Sequence, residues 1–379
     1  MLKTIKSFGV LAVSDLGSGA ISSAFWLFLA SFLTASNYGE IQLLISIAAI
    51  GVGISMIANN NTIMVYEVKQ KGIREFLFLF SIIISTIVSI SIFILYSRLE
   101  LVFLTFLMVF GEMISGYFLG KKFFVKYGIF LILQKFLMIP LALILYILIG
   151  LEGIIYGIAL SYIPSAALVF SGLKQLSINF SLIKENFGFI VNNYLIRLFS
   201  VFRKNFDKII IMPILGLETV GEFALGLQVY MVMTIFAQMS YKILLVYDSE
   251  GKNTTKLNMI IILISVIIAI LGITVGPTVI PTLFPNFINT IEIIPILSLS
   301  VIPSTINLIF SSKFLGNEKS RFTLIGTAVH ASTYLLLIVL MGSTYGLYGL
   351  GLSYLIAAIV FSFYLLVMYK TQIMNQKIS

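Results

Sequence analysis

The sequence predicts an all-α membrane protein with 12 transmembrane helices, arranged as two parallel six-helix lobes around a central cavity. Three observations point there. The 379-residue chain is 59% hydrophobic and only 10% charged. A soluble domain carries about 25% charged residues, so this chain has too little polar surface to cover a particle in water, and its mean hydropathy of +1.09 agrees. Its apolar residues also fall into twelve runs of about 20, each long enough to cross a bilayer as a helix. Strands of a membrane barrel would be about 10 residues long with alternating polarity, whereas these runs are continuous and twice that length. Finally, the two halves of the chain resemble each other at matching points.

The predicted spans lie at about 7–33, 41–63, 76–96, 101–120, 128–149, 153–173, 187–214, 219–242, 258–283, 288–312, 322–342 and 346–369. The first begins like a signal peptide, with Lys3 and Lys6 ahead of an apolar stretch. Asp15 interrupts that stretch and the run continues to Leu33, well past signal length, so it reads as a retained span. The chain has no cysteine and one histidine, which leaves no disulfide, thiolate metal site or histidine metal cluster, and no cofactor is expected.

The net charge of +9 is spread through short loops rather than gathered in a nucleic-acid patch. Loops on the side of both termini hold 18 of the 24 basic residues, including Lys69, Lys71, Arg74, Lys121, Lys122 and Lys174, while the opposite loops hold only Arg98. By the positive-inside rule both termini face the cytoplasm, which predicts a multi-pass protein of the cytoplasmic (inner) membrane, surrounded by membrane lipids. A monomer is the expectation for its assembly. The outer connections, such as 97–100 and 150–153, are too short for an acceptor-binding domain. That weighs against a membrane polysaccharide polymerase or ligase, and so against an enzyme.

Two internal matches suggest a six-helix repeat, with lobes at 1–175 and 176–379. Leu33-Thr-Ala-Ser-Asn-Tyr-Gly39-Glu40-Ile41 pairs with Leu215-Gly-Leu-Glu-Thr-Val-Gly221-Glu222-Phe223, 182 residues later. Tyr156-Gly157 through Ser161-Tyr162 pairs with Tyr348-Gly349 through Ser353-Tyr354, 192 residues later. Six helices per repeat keep the same orientation, and in transporters built this way the substrate sits between the lobes near the midplane.

The seventh span is the unusual one. It carries Arg197, Arg203, Lys204, Asp207 and Lys208, although a charge at the centre of a membrane helix costs ~3 kcal/mol or more. At 100° per residue, Asn193, Arg197, Lys204 and Lys208 fall within about 60° of one another, with Arg203 and Asp207 at the flanks. A helix lying flat on the membrane surface with snorkelling cations is the plain alternative. Removing this crossing would invert every later loop, and the later loops obey the positive-inside rule as placed. A crossing helix with these charges must face an aqueous cavity.

Other spans add polar groups at similar depth. Asp15, Ser18 and Ser22 share one face of the first span, and Glu112, Gln134, Lys135 and His330 stand inside later ones. Asp15, Glu112, Lys135 and His330 each come out on the order of 12 Å from the cytoplasmic face. Asp15 and Glu112 are placed to pair with Lys135 or with Arg197, and a static helix-gluing pair is as good a reading of Glu112 and Lys135 as a functional one. His330 fits a packing histidine better than a ligand. The five cations and three carboxylates of this set leave a net +2, which suits an anion. Pro277, Pro281, Pro285, Pro295 and Pro303 crowd the ninth and tenth spans and predict bends there.

The run Asn205-Phe-Asp207-Lys208-Ile-Ile-Ile, followed by Leu215-Gly216-Leu-Glu-Thr-Val-Gly221-Glu-Phe-Ala224-Leu, resembles the polysaccharide exporters of the multidrug/oligosaccharidyl-lipid/polysaccharide superfamily, nearest to the Wzx-type O-antigen and repeat-unit flippases. Phe314-Leu-Gly316-Asn-Glu-Lys-Ser-Arg321 is similar to their loop between the tenth and eleventh helices. The resemblance implies a flippase that moves a polyprenyl- or dolichyl-diphosphate-linked oligosaccharide across the membrane by alternating access. Arg197, Arg203, Lys204, Lys208, Lys135 and Asn193 would then contact the substrate, with Asp15, Glu112, Asp207 and His330 as charge partners or ion-coupling groups. Coupling to H⁺ or Na⁺ stays open. The rival within the same superfamily is a cation-coupled multidrug antiporter, whose cavity should be acidic. Reporter fusions after Lys71 and after Arg98 are expected to report opposite sides of the membrane; the same side for both would break this topology.

Overall fold

The computed structural model describes residues 2–57, 60–68, 73–172, 180–317 and 319–378. Every regular element among them is helical: α1 (Leu2–Phe32), α2 (Ala35–Ser55), α3 (Asn60–Val68), α4 (Arg74–Tyr96), α5 (Leu99–Gly120), α6 (Phe124–Ile149), α7 (Leu151–Leu160), α8 (Ile163–Gly172), α9 (Phe180–Ser249), α10 (Thr255–Leu283), a 3₁₀ segment η1 (Pro285–Glu292), α11 (Ile294–Gly316) and α12 (Ser320–Ile378). Lys69, Lys71 and Lys174 lie outside the described residues.

Ten helices among the described residues are long and apolar enough to span a bilayer. Two of them are double. The helix at 180–249 breaks at Gly216 (φ 83°, ψ 173°) and the one at 320–378 at Gly346 (φ 58°, ψ −137°). Both breaks need the positive φ that glycine adopts without a Cβ penalty. At ~1.5 Å per residue either helix unbroken would far exceed a ~30 Å hydrocarbon core, so each counts as two crossings. The predicted spans at 187–214, 219–242, 322–342 and 346–369 meet at these glycines. This is a multi-pass membrane protein.

The helices show membrane logic from within. Along α4 the buried positions Ser81, Ser85 and Ser89 recur every four residues, while Ile83, Ile87, Ile90 and Ile94 are exposed. Small polar residues let helices approach closely, and the apolar face meets lipid. On α10, Asn258, Ser265, Ala269 and Gly272 are buried, and Met259, Ile260, Leu263, Ile267 and Ile270 are exposed.

The chain forms two compact units, residues 1–25 with 41–209, and residues 26–40 with 210–379. These differ from the sequence-based division at 175 and 176, because the first helix of each repeat, α1 and α9, runs on from one unit into the other. In the first unit, Val52, Ile63, Tyr66, Leu77, Phe110, Met113 and Ile190 share a core. In the second, Ile211, Phe223, Leu227, Ile293, Leu297, Tyr334 and Leu350 do.

Glycines that the packing requires fix the register of the repeat. Within the second unit a Cβ on Gly39 would lie 2.0 Å from the Leu217 carbonyl oxygen, and one on Gly221 would lie 1.9 Å from that of Ala35. Each contact is the other shifted by 182 residues, so the two matching sequence motifs pack on one another about a local two-fold relation. The second match needs correction. Gly150 and Gly346 both break the helix with positive φ. Three residues on, a Cβ at Gly153 would strike the Leu145 carbonyl (2.1 Å) and one at Gly349 the Met341 carbonyl (2.0 Å). The structural offset is therefore 196, not 192, and the Tyr-Gly…Ser-Tyr match is one helical turn out of register. The 14 residues gained between the two offsets fall where Pro281 and Pro285 lead into η1, against a tight two-residue turn at Ser97–Arg98 in the first repeat.

Gly221→Leu is expected to destabilise the protein by about 1–3 kcal/mol or more through overpacking against backbone, read as a lower melting temperature in detergent. Gly19→Ala, whose Cβ meets nothing within 4 Å, is expected to leave it unchanged.

Candidate functional site in the first unit

The site is built on α1, α5, α6 and the 180–209 part of α9. Three contacts hold α9 in place. Ile190 is buried in the first unit's core. The Tyr194 hydroxyl donates to the Ile54 carbonyl oxygen (3.0 Å), one of the last four carbonyls of α2, which have no partner in their own helix. Gly53 leaves room for Val201, whose side chain would lie 2.9 Å from any Cβ added there. Together these aim Arg197 at α5, and its Nη2 donates to Glu112 Oε1 at 2.9 Å. The two side chains keep 34% and 27% of their surface accessible, so the pair is not sealed in packing. Arg197 Nε is buried with no acceptor among the described residues.

Glu112 also lines a cavity of about 130 Å³, together with Met108, Gly111, Ser115, Phe130, Leu131, Gln134, Lys135 and Tyr162. Gly111 lets the Tyr162 ring lie on α5, 2.6 Å from where a Cβ would be. Tyr162 sits at the turn between α7 and α8, where Gln134 Nε2 donates to Ser161 Oγ at 2.8 Å. Among the described residues nothing bonds to the Lys135 ammonium. Asp15 joins from α1: Ser14 packs on Gly128 of α6, and the Tyr127 hydroxyl donates to Asp15 Oδ1 at 3.0 Å. Tyr127 also feels the charge of Glu112, and Lys204 feels those of Arg203, Arg197 and Glu112.

The structure thus gathers Asp15, Glu112, Lys135, Arg197, Arg203 and Lys204 into one polar region of the first unit. Of the pairings the sequence left open, Glu112 meets Arg197, and Asp15 meets a tyrosine rather than Lys135. Lys208 lies one turn beyond Lys204, and its ammonium approaches Asp207 at 3.4 Å. The Asn193 amide donates to its own helix at the Phe189 carbonyl (2.9 Å). His330 belongs to the second unit, stacked with Tyr334 (6.2 Å between ring centroids) and near Tyr354 and Phe361. Sequence reasoning missed Tyr127 and Tyr162. Tyr162 does occur in the repeated Ser161-Tyr162 motif, and Tyr127 directly precedes the close-contact Gly128.

No family model matches the chain, and no curated protein matches it. Solved structures do. An inward-facing multidrug-resistance MATE transporter of the MOP superfamily is 17% identical and superposes with a TM-score of 0.69 over 97% of this chain and 96% of its own. The lipid II flippase MurJ in an inward closed conformation is 12% identical, with a TM-score of 0.70 over 95% and 87%. The Vibrio cholerae MATE transporter VcmN is 14% identical, with a TM-score of 0.62 over 97% and 94%.

If Arg197 and Glu112 are coupled as the geometry indicates, a double-mutant cycle of Arg197→Met and Glu112→Gln, read by unfolding in detergent, gives an interaction energy of about 1 kcal/mol. Additive effects would contradict the pairing. The chain has the transporter fold seen in MATE proteins and in MurJ.

Proposed function

We propose that the protein is a flippase that carries a polyprenyl- or dolichyl-diphosphate-linked oligosaccharide from the cytoplasmic to the outer leaflet by alternating access between two six-helix lobes, with both termini cytoplasmic. The observation that carries this reading is the cation excess around Arg197. Glu112 engages one guanidinium nitrogen and leaves Nε buried and without an acceptor, while Lys135 has no bonded partner among the described residues. A diphosphate supplies what is missing: two groups of anionic oxygens that a guanidinium binds in a bidentate fork and that ammonium groups bind as point charges.

On this reading Glu112 is a placeholder. It neutralises Arg197 in the empty site and yields to the incoming diphosphate, so the guanidinium is never left in an apolar surround without a counter-charge. Arg203, Lys204 and Lys208 continue the cationic stripe along α9. Gln134, Ser115, Asn193, Tyr127 and Tyr162 supply hydroxyl and amide groups for sugar. Coupling to H⁺ or Na⁺ through Asp15, Glu112 or His330 is consistent with this scheme and is not required by it. The similar structure of MurJ, a lipid II flippase, supports a lipid-linked cargo.

The multidrug antiporter is the second reading. Asp15 and Glu112 favour it, as two carboxylates within reach of Tyr127, and so do the MATE transporter neighbours. The two readings separate at one residue. Arg197→Ala is expected to abolish complementation of a flippase-deficient strain by more than tenfold while the protein still reaches the membrane, with lipid-linked oligosaccharide accumulating on the inner leaflet. Full complementation by this variant, or drug resistance conferred on an efflux-deleted host, would favour the antiporter.

A further inference from the structure

Far along the chain from the charged stripe, each repeat buries one carboxylate at a matching place. In the first unit Glu67, at the end of α3, packs on Gly120 at the end of α5: a Cβ there would lie 2.4 Å from the Glu67 Cβ. In the second unit Asp248, at the end of α9, packs on Gly316 at the end of α11, where an added Cβ would lie 2.9 Å from the Asp248 Cβ. Gly316 follows Gly120 by the same 196 residues that relate Gly150 to Gly346. Both carboxylates are buried, each with 8% exposure.

Their partners differ in kind. Glu67 is met by two cations, Arg74 Nη1 at 3.2 Å and Lys121 Nζ at 2.9 Å. Asp248 is met by two hydroxyls. Thr254 Oγ1 donates to Oδ1 at 2.9 Å and Ser312 Oγ donates to Oδ2 at 2.5 Å. Each carboxylate oxygen accepts one hydroxyl, and no lysine or arginine among the described residues bonds to either. The amide of Asn258, itself buried, rests against the same group through Nδ2 to Thr254 Oγ1 (3.3 Å). Its Oδ1 is buried with no donor among the described residues. A half-turn about the last bond of that side chain exchanges nitrogen and oxygen and presents the orphan oxygen to Thr254 and its neighbours.

A buried carboxylate with no counter-charge is costly, and the first repeat answers that cost with Arg74 and Lys121. We propose that the second repeat answers it with a bound alkali-metal cation of the size of Na⁺, held by Asp248, Thr254, Ser312 and Asn258. These side chains bring five oxygens of the hard type such ions take. One formal negative charge matches a monovalent ion, whereas a divalent ion would leave a buried net positive charge. The cation would tie together the facing ends of α9, α10 and α11, as Arg74 and Lys121 tie α3, α4 and α5. This site is independent of the transport reading above.

The test uses the purified full chain in detergent, melted in NaCl against choline chloride at constant ionic strength and pH. A ligand that binds only the folded state raises the melting temperature with its concentration. Sodium is expected to raise the midpoint by several degrees in a saturable way, with the shift abolished in Asp248→Asn and retained in Glu67→Gln. Because Asp248→Asn also alters two hydrogen bonds, Asn258→Ala is the second variant, expected to need at least tenfold more sodium for the same shift, and bound ²²Na⁺ should fall in parallel. No sodium-dependent shift in the unaltered protein, or a shift in the Asp248 and Asn258 variants as large and at the same sodium concentration as in the unaltered protein, would overturn the proposal.

Discussion

An ionised side chain inside a membrane protein must have a counter-charge, water or both, and this constraint organises the first unit. Arg197 stands in a helix whose neighbours in sequence are Leu, Ile and Phe. Left facing lipid, it would cost several kcal/mol. The fold turns it inward instead. Ile190 and Val201 lock α9 onto the unit core, Tyr194 borrows a free carbonyl at the end of α2, and Glu112 of α5 closes on the guanidinium. The pair stays about a third exposed, so it is a partly exposed ion pair, worth about 1 kcal/mol rather than the several kcal/mol of a sealed one. A pair that weak can be exchanged, as the proposed transport role requires. A stronger pair would glue helices and do little else.

The proposed cargo follows from what the pair leaves over. Glu112 takes one nitrogen of a group that offers five N–H donors, and Lys135 and Lys204 add charge that no bonded carboxylate cancels among the described residues. An anion with several oxygens suits that surplus better than a cationic drug does. The acidic groups are still present in number, which keeps the antiporter reading alive at the level of residues and makes substitution of the arginine the discriminating change.

Much of the fold was legible because membrane helices announce themselves by length. The two places where helices merge, Gly216 and Gly346, fall at predicted span boundaries, since a run of 50 or more helical residues cannot fit a bilayer. The Gly39 and Gly221 motifs were visible as a repeat, but their mutual packing was not, because close approach of backbones is a property of three dimensions. The later repeat was misaligned by four residues. Tyr-Gly and Ser-Tyr recur at helical spacing, so a match one turn out of register looks as good as the true one until a positive φ marks the break. At the site, the charged residues stood out as exceptions to an apolar background. Tyr127, Tyr162 and Ser161 did not, because hydroxyls are cheap in such helices when they bond locally and carry no signal in composition.

The central claim is that the polar region around Arg197 serves a diphosphate-headed lipid. Proteoliposomes with the purified protein and a fluorescent polyprenyl-diphosphate oligosaccharide in one leaflet test it most directly, by quenching label that reaches the other leaflet. Protein-dependent crossing is expected, inhibited by a soluble diphosphate analogue and removed by Arg197→Ala. Equal crossing with and without protein, or undiminished crossing in the Arg197 variant, would contradict it.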